Sequence, residues 1–365
     1  MIKEGKTEIN IFEFEAYKGP GKKKPSFYNP TFEIDRDIEI IFCQFIANKG
    51  AKKFLDAFSS TGIRGIRIAK EVDGEIEVHL NEINPLSSDI LKKNVTMNSV
   101  NVIIHSDDVK KLLLKYKYDY VNIDPYGSPA YFIFPLAHGL RKAGYFSITA
   151  TDVATLCGVY RKSCIRRYGA IPMRGQAMKE IGMRILLAFI AKNLSVFDYS
   201  FSPILSYSYS HFFRIYGMAE KGAGRADKTM DKVGWAYWKD GWNFCNFEEL
   251  PDKNFCGPLW IGEMHNSIFL DEIEKILNEK DLRKRREINQ LLEIWKEEQN
   301  LPALFYETSH IAREIKAKQP KISEIINNLR LMGYKAGRTH FSKSAFKTDA
   351  PYGDIKSVFK AKPKN

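Results

Sequence analysis

An open, mostly parallel α/β sheet with helices on both faces, followed by a smaller α+β domain, is the fold class this sequence predicts. Three observations predict it. Short apolar runs alternate with segments of helical period from residue 53 to about residue 152, the pattern of strands joined by crossover helices. Several of the runs end in acidic or small residues, as strands do at the ligand crevice of such a sheet. Near residues 220–250 the texture changes to a basic glycine-containing loop and a tryptophan-rich stretch, which places a domain boundary near 220. The 365 residues suffice for two domains, 1–220 and 221–365.

The elements follow in order. Residues 18–25 (KGPGKKKP) read as a basic loop, and a helix starts near Asp35 or Asp37 and runs through DIEIIFCQFIA. KFLDAF (53–58) is the first strand of the sheet and IRGIRIAKE its helix. EIEVHLNE (75–82) is a strand, followed by the helix PLSSDILKKNVTMN with Pro85 in its first turn. NVIIHS (101–106) is a strand, and DVKKLLLKY a helix with an acidic start. YDYVNID (118–124) is a strand, SPAYFIFPLAHGLRK helical, and GYFSITATD (144–152) a strand. Residues 174–194 have helical spacing, and YSFSPILSYSYS with HFFRIYGMAE form a hairpin. Residues 272–298 read as one amphipathic helix.

Composition narrows the function classes. No apolar run reaches the ~18 residues of a membrane span, and residues 1–15 lack the apolar core of a signal peptide, so the expected compartment is the cytoplasm. The five cysteines form no C-x-x-C pair, and no metal is expected. The formal charge of +12 points to a polyanionic partner, and no obligatory protein partner is evident. Residues 301–365 carry thirteen Lys/Arg against five Asp/Glu.

The strand ends carry the chemistry. The first ends Asp56-Ala-Phe-Ser-Ser-Thr-Gly62, where small residues let a ligand approach the backbone and the next helix N-terminus favours a carboxylate. The second ends at Glu82, placed to accept from two ribose hydroxyls, and the third is followed by Asp107 and Asp108. One of these aspartates accepts from an adenine amine, while the adjacent backbone, at Val109, donates to the ring. Each acid alone reads as a helix cap, but three in succession read as a nucleoside-cofactor site. G-x-G-x-x-G is absent, which disfavours a dinucleotide. S-adenosylmethionine, a nucleoside that offers a carboxylate to the helix N-terminus, fits such a site.

The fourth strand ends Asp124-Pro125-Tyr126-Gly127. An exocyclic amine is a poor nucleophile because its lone pair is delocalised into the base. The Asp124 carboxylate and Pro125 carbonyl can accept its two hydrogens and hold the nitrogen toward a methyl sulfonium. Tyr126 supplies an aromatic plane for a base that has left its stack, and Asp124 can take the proton.

These residues, with Phe27-Tyr28-Asn29-Pro30, Arg36-Asp37, DAFSSTGIRGIR (56–67), DPYGSP (124–129), Thr149 to Gly158 (TATDVATLCG), Arg167-Tyr168-Gly169 and Gly257-Pro258-Leu259-Trp260, resemble the archaeal and eukaryotic tRNA guanine-26 N2-dimethyltransferase family. The resemblance implies a class I, Rossmann-like methyltransferase sheet, two methyl transfers to one N2, and tRNA as partner. It also implies cofactor contacts at Arg36, Arg64, Glu82 and Asp108, with Asp124 central to catalysis. The family usually has Phe where Tyr126 stands, and Asp is commoner at the place of Glu82. Many members carry a cysteine cluster before Gly-Pro-Leu-Trp, of which only Cys245 and Cys256 remain here. A DNA amino-methyltransferase shares the Asp-Pro corner but not the Thr-x-Thr-Asp or Gly-Pro-Leu-Trp segments.

In the C-terminal region, LFYETSHIAREIKA reads as a helix, KISEIINNLRLMG as a second capped by Gly333, and YKAGRTHFSKSAFKT as a basic hairpin. Together these suggest a winged-helix-like module over about 301–350. Arg338, His340, Lys343 and Lys347 are expected to line a phosphate-facing wing with Phe341 and Phe346 interleaved, and Arg338, Lys343 and Lys347 are the expected RNA contacts.

Overall fold

The computed structural model describes residues 1–11 and 28–360, so the basic loop expected at 18–25 lies outside the described residues. A short antiparallel hairpin, β1 (Ile2–Glu4) and β2 (Thr7–Ile9), comes first. Helix α1 (Glu33–Ala47) follows and is buried along nearly its whole length. Strands and helices then alternate as expected: β3 (Lys53–Asp56), α2 (Ile63–Glu71), β4 (Glu77–Asn81), α3 (Pro85–Asn98), β5 (Ile103–His105), α4 (Val109–Lys115), β6 (Tyr118–Ile123), α5 (Ala130–Gly139) and β7 (Leu140–Ala150). The strand β7 begins earlier than the sequence pattern suggests. Gly139 ends α5 where an added Cβ would lie 2.3 Å from Leu113 Cδ2, and fully buried Leu140 already belongs to the strand.

Next come α6 (Val153–Leu156), α7 (Arg161–Tyr168), α8 (Met178–Ser195) and the expected hairpin β8 (Tyr199–Tyr209) and β9 (Phe212–Lys221). The seven-stranded sheet has the order β5-β4-β3-β6-β7-β9-β8. Strands β3 to β7 run parallel. The order reverses between β3 and β6, which opens a crevice at their carboxyl ends.

The glycine-rich stretch after β9 is helix α9 (Ala223–Met230) rather than a loop, because Ala226 and Thr229 are buried. Strands β10 (Val233–Trp238), β11 (Trp242–Asn246) and β12 (Phe255–Trp260) form a sheet of order β11-β10-β12. The single amphipathic helix expected at 272–298 is two, α10 (Ser267–Glu279) and α11 (Arg285–Glu298). The chain breaks there because Lys280 Nζ bonds Glu71 O and Asp73, and the Lys284 amide donates to Asp37 Oδ2 at 2.9 Å.

The C-terminal segment comprises β13 (Tyr306–Glu307), α12 (Thr308–Glu314), α13 (Ile322–Leu331), β14 (Ala336–Thr339), β15 (Ser342–Thr348) and α14 (Tyr352–Lys360), with sheet order β13-β15-β14. Its own core is built from Ile311, Ile325, Leu329, Phe346 and Ile355.

The chain divides into two compact units that are interleaved in sequence. One contains Met1–Ala150, Tyr216–Gly222 and Ile268–Gln290, and the other contains Thr151–Ile215, Ala223–Ser267 and Leu291–Asn365. A single cut near 220 does not describe this division, because Ile268–Gln290, which holds most of α10 and the start of α11, belongs to the first unit and Thr151–Ile215 to the second. No helix among the described residues is long and apolar enough to cross a membrane.

Candidate active site

Close packing shapes the turn after β3. Gly62 has φ +83° at the start of α2, a left-handed conformation that disfavours a Cβ. A Cβ on Gly65 would fall 1.9 Å from Leu80 Cδ2, so glycine lets α2 lie directly on β4. The turn is tied to its neighbouring strands by Ala57 N to Asn122 O at 3.1 Å and Ser59 N to Asn81 O at 2.9 Å.

Three strand ends surround one cleft of about 250 Å³ lined by Ala57, Phe58, Asn81, Glu82, Ile83, Asp107, Asp108, Val109, Lys110 and Phe132. Asn81 ties β4 to β5: its amide donates to Asp107 O at 3.1 Å and its Oδ1 accepts from Asp107 N at 3.1 Å. Glu82 accepts from Ser60 N at 2.9 Å and Asn84 N at 2.8 Å, and burial pushes its carboxyl up. Asp108 caps α4 by accepting from Lys110 N at 2.8 Å while lining the cleft, so its cap role and its place at the cavity coexist.

Asp56 is buried at the end of β3. Its Oδ1 accepts from Asn122 at 2.8 Å, and its Oδ2 has no hydrogen-bond partner. Burial pushes its carboxyl up to about 6 against the opposing pull of Arg64 and Asn122. An orphaned buried carboxylate oxygen calls for a ligand or water donor.

Arg64 joins this site to the catalytic corner. Its guanidinium contacts Asp35 at 2.7 Å, Glu39 at 2.9 Å and Asp124 at 3.0 Å. Asp35 and Glu39 stand one turn apart on α1, where both face the same partner. Glu39 also accepts from Tyr120 and, at 3.1 Å, from Tyr216. Ser147 donates to Asn122 Oδ1 at 2.9 Å, and Asn122 in turn donates to Asp56 at 2.8 Å, with the Tyr120 hydroxyl 2.5 Å from that of Ser147. Sequence periodicity had no means of finding Asp35, Glu39 or Asn122. They lie in apolar-patterned segments, and only the fold brings them together.

Beyond Asp124 the backbone turns at Gly127, φ +82°, and the Tyr126 side chain is 63 % exposed. An aromatic ring so exposed beside a carboxylate is suited to stacking on a planar base.

The structure gives two groups of expected residues other surroundings. For Arg36 the resemblance implies a cofactor contact. Its Nε and Nη2 bond Glu4 at 2.6 and 2.5 Å, and Nη2 also reaches Asn29 O at 3.2 Å, so one edge of the guanidinium is held by the chain itself. Lys347 was expected on a phosphate-facing wing. It is 2 % exposed, with Nζ 2.7 Å from Glu180, and it cannot reach a phosphate from there. Phe341 and Phe346 are likewise buried rather than interleaved on a surface. Arg338 is half-exposed and paired with Glu297 at 2.6 Å, and Lys343 is exposed.

Among the described residues, His265, Glu298 and His340 bring three donor atoms within 4.8 Å of one another. The Ser208 amide donates to His340 Nε2 at 3.2 Å, so the ring proton sits on Nδ1, which donates to Glu298 at 2.5 Å. With Lys347 and Arg184 facing Glu180 and Glu298, the cluster is charge-balanced without a cation.

A parallel sheet with a nucleoside-sized cleft at the carboxyl ends of β3, β4 and β5 and an Asp-Pro-Tyr-Gly corner at the end of β6 defines a class I methyltransferase. The family model for N2,N2-dimethylguanosine tRNA methyltransferase matches residues 5–360. The tRNA (guanine(26)-N(2))-dimethyltransferase of Pyrococcus abyssi is 35% identical over 96% of both chains. That of Methanosphaera stadtmanae is 32% identical over 98% of this chain and 96% of its own. The structure of Trm1 from Pyrococcus horikoshii with S-adenosyl-L-methionine superposes with a TM-score of 0.88 at 32% identity, covering 98% of each chain. The chain belongs to the N2,N2-dimethylguanosine tRNA methyltransferase family.

Proposed function

We propose that this chain transfers two methyl groups from S-adenosylmethionine to the exocyclic N2 of guanine-26 of tRNA, by way of N2-methylguanosine. The observation that carries the reading is the junction of the two halves of the site. Asp124, at the end of β6, is held at 3.0 Å by Arg64, and the cleft opens at the ends of the adjoining β3, β4 and β5.

The residues present fit the cofactor. Glu82 matches two ribose hydroxyls, Asp108 and the Val109 amide match the adenine edge, and the orphaned Oδ2 of Asp56 suits a donor from the amino-acid end. When bound, S-adenosylmethionine supplies an electrophilic methyl on a sulfonium. The chain's own groups do the rest. In the first transfer Asp124 and the Pro125 carbonyl accept the two N2 hydrogens and aim the nitrogen, in the second Asp124 accepts the one hydrogen that remains, and Tyr126 stacks on the flipped base in both. As the new N–C bond forms and the S–C bond breaks, the proton leaving N2 passes to the Asp124 carboxylate. Arg64 and Arg36 are the cofactor contacts the resemblance implies, and Arg64 also holds Asp124 at 3.0 Å while Glu4 orients Arg36.

We assign tRNA binding to residues 221–365. The β13–α12–α13–β14–β15 order supports a winged-helix-like segment near 301–350. The expected compartment remains the cytoplasm.

The test is methyl incorporation into tRNA and into duplex DNA by wild type and Asp124→Ala. Transfer to tRNA that depends on Asp124 supports the reading, and transfer to DNA alone overturns it.

A further inference from the structure

The segment between residues 153 and 179 contains six cations, Arg161, Lys162, Arg166, Arg167, Arg174 and Lys179, and no Asp or Glu. Helix α7 lies within it and sorts these charges by face. Cys164 and Tyr168, one turn apart, are buried, and the Tyr168 ring packs on Phe189 at 5.3 Å. The one nearby acid, Asp152, is consumed on that side. It accepts from Tyr168 OH at 2.8 Å and pairs with Arg167 at 3.2 Å. Lys162 and Arg166, one turn apart, lie on the opposite face with Ile165 at its flank, and Arg161 is exposed at the N-terminal end of the helix. Arg174 joins them from the following loop: an added Cβ on Gly158 would meet its Cγ at 3.1 Å, just before the helix start.

Neither Arg161, Lys162, Arg166 nor Arg174 has a side-chain hydrogen bond or ion pair among the described residues. The helix is locally frustrated as it stands. Lys162 and Arg166 are like charges at i,i+4, and no acid occupies the first turn to complement the dipole. Beside this face Tyr160 is 60 % exposed. Unpaired cations on one helix face with an exposed aromatic beside them have the character of a nucleic-acid surface: charge for phosphate, a ring for sugar or an unstacked base.

We infer that the outer face of α7, with Tyr160 and Arg174, is a docking surface for the phosphate backbone of the RNA substrate. This inference rests on the tRNA reading above and adds to it a surface outside residues 221–365. The C-terminal hairpin offers less free charge than expected, since Lys347 is buried and Arg338 is paired, which leaves Lys343 exposed.

The experiment compares full-length wild type with Arg161→Ala/Lys162→Ala/Arg166→Ala and with a control triple, Lys92→Ala/Lys93→Ala/Lys111→Ala, from exposed positions on α3 and α4. tRNA binding is measured across a salt series, together with tRNA KM and S-adenosylhomocysteine affinity. Each lost duplex phosphate contact lowers the salt slope by about 0.9. The α7 triple should therefore lose roughly two to three from the slope and raise KM severalfold, with cofactor affinity and melting temperature unchanged and the control at wild-type values. A wild-type slope in the α7 triple overturns the surface, as does an equal drop in the control, which would reflect net charge only. If wild type binds tRNA through α7 yet transfers no methyl to it, the surface stands and the substrate reading falls.

Discussion

At the scale of single residues, Arg64 and Asp124 decide between two accounts of the site. If Arg64 acts by holding Asp124, Arg64→Gln should lower kcat while leaving S-adenosylhomocysteine affinity within about threefold of wild type, and Arg64→Lys should restore part of kcat through its retained charge. If Arg64 instead clamps the cofactor, calorimetry will show the loss in affinity. Asp124→Ala should cost about 100-fold or more in methyl transfer with the cofactor still bound. Turnover within a few-fold of wild type would remove Asp124 from the reaction. Lys347 belongs to stability. Lys347→Ala leaves Glu180 and Glu298 short of a buried cation and should destabilise the fold by about 3 kcal/mol in denaturant melts.

At the scale of elements, the N-terminal hairpin is fastened to α1 and α2 by buried charges. Glu4 binds Arg36 at 2.5 Å and Arg67 at 2.8 Å, and Arg67 also binds Asp37 at 2.7 Å and Glu71 at 2.9 Å. Burial by itself would raise the Glu4 carboxyl, but the hydrogen bonds and charges of Arg36 and Arg67 outweigh it and hold it at about 2, below the ordinary 4.5. A depressed carboxyl stabilises the fold above its unfolded value and loses that contribution as pH falls toward the folded one. The stability gap between wild type and Glu4→Gln should therefore be full above pH 5 and close between about pH 4.5 and 2. A gap independent of pH would show that packing, not charge, fastens the hairpin. Gly65→Ala tests the turn: its methyl would press on Leu80, and we expect about 1–3 kcal/mol of destabilisation together with weaker cofactor binding.

The alternating elements from β3 to β7 were legible because each strand is an apolar run and each crossover keeps helical period. The acids at Asp56, Glu82 and Asp108 were legible because they recur at the same end of successive strands. The ion-paired surroundings of Arg36 and Lys347 were not. A basic residue reads alike in sequence whether it faces phosphate or a buried carboxylate, and Glu4 and Glu180, which decide the matter, are 32 and 167 residues away. The break between α10 and α11 was hidden for the same reason, since it depends on Lys280 reaching Glu71 and Asp73.

At the scale of the whole molecule, the chain carries a cofactor cleft, a carboxylate-and-carbonyl corner for an exocyclic amine, and a basic surface for RNA. The modified atom is guanine N2, and mass mapping tests this most directly. An unmodified tRNA bearing guanine at position 26 is incubated with the protein and S-adenosylmethionine, digested, and its nucleosides sequenced by mass. The account predicts a single guanosine at position 26, heavier by two methyl groups on N2, with the monomethyl form appearing first and no product when that guanine is replaced by adenine. Methyl groups on another nucleotide only, or on a ring nitrogen of guanine-26, would contradict it.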